Sequence, residues 1–339
     1  MKNLIYYLAK YVGVFTLCRW LTRSDLRILA YHGIWLGPGH FGNFLYMSAE
    51  KFTQRMQKLR DMKVPVLPLD EALKRQADGT LQNNTVVITI DDGWYSSYRY
   101  MVPALLENKL PATLYITSYY SEAQLPVANV AVQYMLLKTA APFLDTACLG
   151  DEQSLRLPLV TIEDRAAALD RVSQAMDTLG AEPARQDLLR KLAEELQFDF
   201  DKMINEKWFH LVDAAMISSM AEQGVDIQLH THRHRISERG QLSLEREIAD
   251  NRHWLEPLVS RPLEHFCYPS GIYEEAAWAP LAELNVRSAT TTEPGLCRRD
   301  TPPYAIPRIL DGEQVSDIEF EAELAGFGEM KRRLLSVLR

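Results

Sequence analysis

The sequence predicts an α/β protein built on a closed or nearly closed barrel of about seven parallel β-strands, with a helical insertion. The first observation is an alternation of strand-like and helix-like segments that begins near residue 26. The second is residues 85–90, a continuous apolar run typical of a strand buried on both faces of a parallel sheet. The third is size, because 339 residues with 47% hydrophobic and 24% charged content suit one large domain, with or without an insertion.

Each element follows from the local pattern of apolar residues. The helical spacing of Phe52, Met56 and Leu59 predicts a helix over 48–62, and Asp70 and Gly79 fit the start and end of a helix over 70–79. Further helices are predicted over 101–109, 210–224, 242–259 and 274–284. Short apolar or β-branched runs predict strands at 27–34, 64–69, 85–90, 111–118, 225–230, 264–269 and 286–292.

Two segments lie outside this alternation. Residues 120–207 show helical periodicity and no convincing strand, so they are predicted to form the insertion in a barrel domain that spans 26–339. Residues 1–25 are predicted to form an amphipathic helix in which Lys10, Arg19 and Arg23 interrupt apolar and aromatic residues. That pattern is too broken for a spanning helix and lacks a signal-peptide cleavage site. It fits a helix in a membrane interface and a helix packed on the protein body equally well.

Composition restricts the partners and the location. The net charge of −8 argues against a nucleic-acid partner, because phosphate binding needs a concentrated basic surface. The four cysteines are too scattered for a disulfide framework or a zinc ribbon, which favours a reducing compartment. A cytoplasmic location is therefore expected. Peripheral contact with the inner membrane and a periplasmic location both stay open, and the oligomeric state is not predicted.

The strand over 85–90 ends in two adjacent carboxylates, Asp91 and Asp92, followed by Gly93. Adjacent side chains on a regular strand point to opposite faces, but a turn at Gly93 lets the two carboxylates converge. The carboxyl ends of barrel strands are also where active sites lie. An Asp-Gly turn is common in surface loops, so this triplet indicates a site only together with the apolar strand before it.

A second strand end carries His230, His232 and His234, three of the eight histidines in the chain. Neutral imidazoles are the commonest metal ligands, and one aspartate with two histidines leaves positions open for water or substrate. That set is typical of a catalytic Zn²⁺ or another divalent transition metal. Spacing does not decide which two histidines bind. The second aspartate would be free to act as a base on water, which predicts metal-assisted hydrolysis.

Three motifs in this order, "TIDDG" (89–93), "HTHRH" (230–234) and "FCYPSG" (266–271), resemble the signature of the polysaccharide deacetylases. This family of carbohydrate esterases has the NodB homology domain, a distorted (β/α) barrel. The resemblance covers roughly residues 27–118 and 208–310. It implies that Asp91 is the catalytic base and that Asp92, His230 and His234 are the metal ligands. It also implies that the Ser270 N–H helps to form the oxyanion hole.

Two departures from the family pattern matter. Many members have an arginine where this chain has Cys267, and that arginine orients the catalytic base; Arg308 in "YAIPRIL" is the hypothetical substitute. No histidine follows His265, so the late histidine that many members use as general acid is missing. The "YH" element in "LAYHGI" resembles the branch of bacterial poly-N-acetylglucosamine deacetylases, which makes His32 the candidate acid.

The resemblance implies an enzyme that removes the N-acetyl group from a sugar of a bacterial surface polysaccharide, in lipopolysaccharide or exopolysaccharide biosynthesis, or from its lipid-linked precursor. Two alternatives stay open. The first is an O-acetyl esterase, because ester and amide hydrolysis use the same metal and base. The second is a catalytically silent glycan-binding barrel. The aromatic residues Trp94, Tyr95, Tyr268 and Tyr273 near the motifs are candidates either for stacking on sugar rings or for packing.

Overall fold

The computed structural model describes residues 2–151, 153–179, 182–236 and 243–337. The chain divides into two units. The first unit comprises Met1–Trp35, Phe44–Ala123 and Val212–Arg339, and it contains the barrel. The second comprises Leu36–Asn43 and Gln124–Leu211. The insertion predicted over 120–207 falls almost wholly in the second unit, which also includes a short segment from the loop after the first barrel strand.

The regular elements are numbered here in chain order. The strands are β1 Arg27–Tyr31, β2 Gly33–Ile34, β3 Tyr46–Met47, β4 Val86–Ile90, β5 Thr113–Ile116, β6 Phe143–Asp145, β7 Arg156–Pro158, β8 Asp226–Leu229, β9 His265–Cys267, β10 Ser288–Pro294 and β11 Ile306–Leu310. The helices are α1 Lys2–Tyr11, α2 Val14–Leu21, α3 Ala49–Asp61, α4 Leu69–Ala77, α5 Val102–Glu107, α6 Ser118–Ala123, α7 Ala128–Lys138, α8 Ile162–Thr178, α9 Glu182–Glu195, α10 Phe200–Asn205, α11 Ala214–Glu222, α12 Leu244–Leu255, α13 Trp278–Glu283, α14 Asp317–Leu324 and α15 Phe327–Val337.

Within the described residues, seven parallel strands close into a barrel in the order β1-β11-β10-β9-β8-β5-β4. The long pairing of β1 with β4, from Arg27↔Val86 to Tyr31↔Ile90, closes the ring. Every residue of β1, β4, β5, β8 and β9 is buried, which explains why β4 is continuously apolar. Because all strands run in one direction, their carboxyl ends meet at a single mouth. The predicted fold class is confirmed.

One predicted barrel strand is absent from the barrel, and one barrel strand was not predicted. Residues 64–69 contribute only an isolated bridge between Val66 and Val86, and α4 already begins at Leu69. Pro65 and Pro68 lack the N–H that a central strand must donate, which accounts for this failure. The barrel strand that was not predicted is β11, because Pro307 interrupts its apolar pattern in the sequence. Asp70 lies in the first turn of α4 and is not its N-cap.

The second unit is mainly helical, with α7 to α10 around an aromatic cluster. The Tyr134 ring contacts the rings of Phe41, Phe198, Trp208 and Phe209 at centroid distances of 5.5–5.8 Å. The expectation of no strand in this segment is wrong, because β6 and β7 form an antiparallel hairpin. Both strands are only three residues long, too short to leave a period-two pattern in the sequence.

His210 in the second unit leads to a prediction about pH. It is 5% exposed, its Nδ1 has no hydrogen-bond partner in the described part of the chain, and burial and Lys207 lower its pKa to about 4. The unfolded chain takes up this proton near pH 6.5, so acid favours unfolding. We expect the free energy of unfolding to fall by about 3 kcal/mol between pH 6.5 and pH 4 on account of His210.

Urea unfolding across this pH range measures the slope. His210→Phe is expected to flatten it, whereas the control His253→Gln, at an exposed histidine of the first unit, leaves it unchanged. An unchanged slope in His210→Phe would contradict the assignment of the effect to His210.

The N-terminal segment forms two helices where one was predicted. Gly13, with φ +83°, separates α1 from α2 in the left-handed region that favours glycine. Ala9 and Phe15 pack against Ile318 and Ala322 of α14, in a cluster completed by Ala325. Over the residues described, no helix combines the length and the apolarity needed to cross a bilayer.

Candidate active site

Three of the site residues predicted from the sequence, His32, Asp91 and Asp92, lie at the mouth of the barrel. His32 directly follows β1, and Asp91 and Asp92 directly follow β4. His230 follows β8 in the same way, while Arg308 lies within β11. These positions bring ionisable side chains from four strands to one end of the barrel, where the apolar interior meets the loops.

The turn after β4 separates the two adjacent aspartates. Asp91 still extends the strand pairing, because its N–H donates to the Tyr31 carbonyl at 2.9 Å. Asp92 then adopts φ +71° and Gly93 φ +85°. A Cβ at Gly93 would lie 2.7 Å from Ile116 Cδ1, so glycine is required at this close approach. The left-handed turn sends the two carboxylates to different partners.

Asp91 pairs with Arg308 in a buried bidentate contact. Arg308 Nη1 donates to Asp91 Oδ1 at 2.8 Å and Nη2 to Oδ2 at 2.7 Å, and both side chains are at most 2% exposed. Burial alone would raise the pKa of Asp91, but the Arg308 guanidinium brings the net pKa below its usual range. The carboxylate therefore stays ionised although it is buried.

Cys267 lies beside this pair at the end of β9. Its Sγ is 3.2 Å from Arg308 Nη2 and 3.5 Å from Asp91 Oδ2. The position at which many family members carry an arginine is thus next to the Asp91 carboxylate, and Arg308 reaches the same carboxylate from β11. Thr89 Oγ1 also accepts from Arg308 Nη1 at 3.0 Å, which helps to orient the guanidinium.

Asp92 faces two histidines. Its Oδ1 lies 3.1 Å from His230 Nε2 and 3.2 Å from His234 Nε2. Burial tends to raise the pKa of Asp92, but His234 and His230 lower it well below its usual value. Burial tends to lower the pKa of His230, yet Cys267 and Asp92 raise it well above its usual value. These three side chains therefore form one compact cluster around the Asp92 carboxylate.

The donor set fits a divalent metal ion. One ligand atom from each of Asp92, His230 and His234 lies within 4.8 Å of the others, and Asp92 and His234 are partly exposed. His230 Nδ1 is 2.7 Å from the Cys267 carbonyl, which orients the ring and leaves Nε2 with its lone pair toward the cluster. Trp94 Nε1 donates to Asp92 Oδ2 at 2.8 Å, which leaves Oδ1 for a metal.

A second group of three, Asp91, His230 and Cys267, also has one candidate ligand atom per residue within 4.8 Å of the others. All three are buried, and both Asp91 oxygens already bind the Arg308 guanidinium. A fixed positive charge in contact with the carboxylate opposes a second cation there. The cluster around Asp92 is therefore the better candidate for a metal site.

The loop after β8 decides which histidines face Asp92. Thr231 and His234 adopt φ +63° and +54°, so the chain reverses between His230 and His234. His232 points elsewhere, with Nδ1 2.8 Å from Ser118 Oγ. The alternative pair of His230 and His232, which spacing allowed, is therefore not the pair that meets Asp92. Backbone strain of this kind often accumulates at functional sites.

Helix α12 holds this loop through two buried polar residues that sequence reasoning missed. Glu247 is fully buried, and it accepts from the Arg233 backbone N–H and from Arg233 Nη1, both at 2.7 Å. Asn251 is also fully buried, and its Oδ1 accepts from the His230 N–H at 3.0 Å. The sequence offered one sign of their role: both are polar residues on the apolar face of a predicted helix, where a polar group needs a buried partner.

His32 lies beside Asp91. Its Nε2 is 3.6 Å from Asp91 Oδ2, and 11% of its side chain is exposed. Burial lowers the pKa of His32, and the Asp91 and Asp92 carboxylates partly oppose this effect. Ser97 Oγ donates to the His32 carbonyl at 2.9 Å and so fixes the backbone at this position. His32 is therefore close enough to exchange a proton with Asp91 after a small movement.

Ser270 lies in a strained turn after β9, with φ +57° and ψ 8°. Gly271 follows with φ +68°, and a Cβ there would come within 2.0 Å of Thr292 Oγ1. Ser270 and His234 line the same groove of about 920 Å³. No contact joins Ser270 to the aspartates in the described structure, so its oxyanion role stays a prediction.

Two of the aromatic candidates for sugar stacking are buried. Trp94 is 5% exposed and Tyr268 is 0% exposed, so neither presents a ring face to a ligand. Trp94 instead orients Asp92, as described above. Tyr273 is partly exposed, stacks on Tyr268 at 5.2 Å, and lines the groove beside Ser270. Tyr273 is therefore the strongest of these candidates for a substrate contact, and Tyr95 is partly exposed.

Fold and site together define a class of protein: a parallel (β/α) barrel whose mouth holds an Asp-His-His cluster next to an arginine-paired aspartate. The chain carries a region of the polysaccharide deacetylase family, whose family model, described as "Polysaccharide deacetylase", matches residues 188–289. This match confirms the family that the three motifs indicated. It includes His230, His234 and Ser270, whereas the aspartate pair lies outside it.

Individual relatives agree with this family. The Bacillus subtilis protein YxkH, provisionally named as a polysaccharide deacetylase, is 28% identical over 126 residues, which is 37% of this chain and 44% of YxkH. The chain thus aligns with less than half the length of that relative.

Two solved structures show the same fold. The Streptococcus pyogenes deacetylase PplD, in complex with acetate, has a TM-score of 0.58 at 16% identity, with 88% of this chain and 97% of PplD covered. IcaB from Ammonifex degensii has a TM-score of 0.53 at 16% identity, with 89% and 97% covered. At such identities the likeness establishes the NodB-type barrel alone.

Proposed function

We propose that the protein is a metal-dependent hydrolase that removes the N-acetyl group from a sugar of a bacterial surface polysaccharide or of its lipid-linked precursor. The observation that carries this proposal is the division of the aspartate pair. Asp91 is held ionised by Arg308 and lies beside His32, while the next residue, Asp92, faces two histidines. This arrangement supports a role for Asp91 as the base and for Asp92, His230 and His234 as metal ligands.

The proposed reaction adds water to the acyl carbon and breaks the C–N bond, which releases acetate and a free amino sugar. A divalent cation held by Asp92, His230 and His234 would supply a Lewis acid for the acyl oxygen and for water. Asp91 accepts a proton from the attacking water. Asp91 Oδ1 keeps a free lone pair after it accepts from Arg308 Nη1, so the ion pair does not prevent this transfer.

His32 is proposed to donate a proton to the departing amine. Because its Nε2 is 3.6 Å from Asp91 Oδ2, a proton taken from water by Asp91 can pass to His32 and then to the amine nitrogen. The Ser270 N–H is proposed to donate to the developing oxyanion from its left-handed turn. Arg308 acts through Asp91, as a positioning residue.

Removal of the metal should stop the reaction. Dialysis against a chelator is expected to abolish acetate release, and Zn²⁺ or another divalent transition metal is expected to restore it. His234→Ala should weaken metal binding by about 100-fold or more, beyond the 10–100-fold typical of supporting residues. Metal affinity should also fall as the pH falls, because the ligands must lose their protons to bind. Metal analysis and titration measure these effects.

His232→Ala is the matched control for the metal prediction. It removes a histidine of the same loop that contacts Ser118 and not Asp92, so metal affinity should change by at most about tenfold. Equal losses in His232→Ala and His234→Ala would contradict the assignment of the ligands.

The substrate is tested with acetylated glycans and lipid-linked sugars. Acetate release from N-acetylated substrates with none from O-acetylated ones supports the proposal, and the reverse result identifies an O-acetyl esterase. Faster turnover of the lipid-linked sugar than of the free polymer favours action on a precursor at the cytoplasmic face of the inner membrane. Metal binding without acetate release from any of these substrates would indicate a glycan-binding barrel.

A further inference from the structure

The surface of α1 and α2 that points away from the barrel is apolar. We call it the outer face, and it consists of side chains that are 44–90% exposed: Leu4, Ile5, Tyr7, Leu8, Tyr11, Val12, Leu17, Trp20 and Leu21. Scattered exposed apolar residues are normal on a soluble protein, but here the residues recur at helical spacing. Leu4, Leu8 and Tyr11 share one face of α1, and Leu17, Trp20 and Leu21 share one face of α2. Such a patch indicates an interaction surface.

The opposite side of these helices is already packed. Ala9, Phe15 and Cys18 are buried, and the rings of Tyr6 and Phe15 contact Phe327 at 5.6 and 5.5 Å. A helix packed on a protein body normally turns polar residues to solvent. Here apolar residues occur on the packed side and on the exposed side, so packing on the barrel unit does not explain the apolar residues of the exposed side.

The charges of the segment are all of one sign. Residues 1–24 contain the four basic residues Lys2, Lys10, Arg19 and Arg23 and no Asp or Glu, although the whole chain has a net charge of −8. Lys2 and Lys10 pair with Glu319 and Glu321 of α14 and so are directed to the protein body. Arg23 instead lies 4.9 Å from the Trp20 ring centroid, at the edge of the outer face.

We propose that the outer face docks on an anionic lipid bilayer, with α1 and α2 lying in the headgroup region. Tyr7, Tyr11 and Trp20 have rings with an apolar body and a polar edge, which suits the boundary between acyl chains and headgroups. Arg19 and Arg23 supply cations for lipid phosphate at the same level. This inference does not depend on the proposed reaction.

A second copy of the chain fits the outer face less well. In a two-fold dimer the same patch meets itself, so Arg19 and Arg23 of both copies would share one interface. Since residues 1–24 contain no acidic side chain, those cations would find no partner within the patch. Like charges at an interface are costly, whereas an anionic bilayer offers a phosphate to each cation.

Co-sedimentation of the full chain with vesicles tests this proposal. Binding is expected to vesicles of phosphatidylcholine and phosphatidylglycerol in equal parts, with much weaker binding to phosphatidylcholine alone. The double variant Leu8→Glu, Trp20→Glu should lower partitioning by about tenfold or more, because it places carboxylates on the outer face. Arg19→Gln and Arg23→Gln should each lower it by about fivefold at low salt.

The matched control is the double variant Val160→Glu, Ile162→Glu. These two side chains are 75% and 77% exposed but belong to the second unit, so their replacement should leave vesicle binding unchanged. Unchanged thermal unfolding midpoints show that the variants fold. Arg23→Gln keeps the test decisive if Leu8→Glu, Trp20→Glu does not fold.

Three results would overturn the proposal. The first is binding that does not depend on phosphatidylglycerol, and the second is an equal loss of binding in the outer-face and control variants. The third is a stable dimer without vesicles that Leu8→Glu, Trp20→Glu dissociates, because the outer face would then be a contact between copies of this chain. Light scattering without vesicles detects such a dimer directly.

Discussion

Asp91→Asn is expected to lower kcat for acetate release by about 10²–10⁴-fold in the metal-loaded protein. Asparagine has nearly the same shape as aspartate, but it cannot take a proton from water. Because Asp92, His230 and His234 are untouched, the metal content should stay at the wild-type level. The loss should persist at every pH, since no titration restores a base to this position. Steady-state kinetics from pH 5 to 10 with parallel metal analysis provide the measurement.

The same substitution should destabilise the fold. Arg308 is 0% exposed and would lose its charged partner, and removal of one member of a buried ion pair typically costs about 3–5 kcal/mol. Kinetics must therefore be measured at a temperature at which the variant is folded. A folded, metal-loaded Asp91→Asn protein with normal turnover would rule out Asp91 as the base.

Arg308→Met should have the second largest effect on activity. Its pH profile should differ from that of Asp91→Asn. Without the guanidinium, burial raises the pKa of the Asp91 carboxyl, so the base becomes protonated at a higher pH than in the wild type. Activity is expected to be low at neutral pH and to recover as the pH rises. The acid limb of the kcat/KM profile should thus move to higher pH, whereas Asp91→Asn shows no recovery.

Arg308→Met should also change how the free energy of unfolding depends on pH. In the wild type, the pKa of Asp91 is below its unfolded value, so the ion pair stabilises the protein above that value and the stabilisation is lost as the pH falls through the folded pKa. The variant should lose about 3–5 kcal/mol at neutral pH, and its acid dependence should reverse. Because burial raises the folded pKa of Asp91 above its unfolded value in the variant, the variant should regain stability as the pH falls through that raised pKa. Urea unfolding at several pH values measures both effects.

Two further variants separate positioning from general destabilisation. Arg308→Lys keeps a positive charge but loses the bidentate geometry. The acid limb of its kcat/KM profile should lie between those of the wild type and Arg308→Met. Arg27→Met removes another fully buried arginine, one that donates to the Leu324 and Thr22 carbonyls away from the aspartates. Arg27→Met should destabilise the protein and leave the acid limb where it is. A shift in Arg27→Met equal to that in Arg308→Met would contradict the role given to Arg308.

The arginine that contacts Asp91 lies on a different strand from the one that the family resemblance implies. Many members carry it at the position of Cys267 in β9, but here β11 supplies it, with β10 between the two strands. Arg308 spans this separation inside the barrel, where side chains from alternate strands meet in one layer. The Cys267 thiol fills the smaller space that remains beside the guanidinium.

The sequence by itself determined the barrel class and most of its strands, because a buried parallel strand is a continuous apolar run and its carboxyl end is marked by a turn. It also singled out Asp91, Asp92 and the histidine cluster, since these polar residues directly follow such runs. Strand β11 and the hairpin of β6 and β7 were missed, because Pro307 and very short strands leave no clear pattern.

Only the tertiary structure decided which polar residues meet. Asp91 reaches Arg308 and Asp92 reaches His230 because the turn at Gly93 has positive φ, and His234 replaces His232 for the same reason in its own loop. The pairing of Asp91 with Arg308 joins residues far apart in sequence, so no local pattern encodes it. The exposed apolar side of α1 and α2 likewise became visible only when the other side was found packed. Local periodicity reports burial, whereas contacts between distant strands depend on the closed barrel that brings them together.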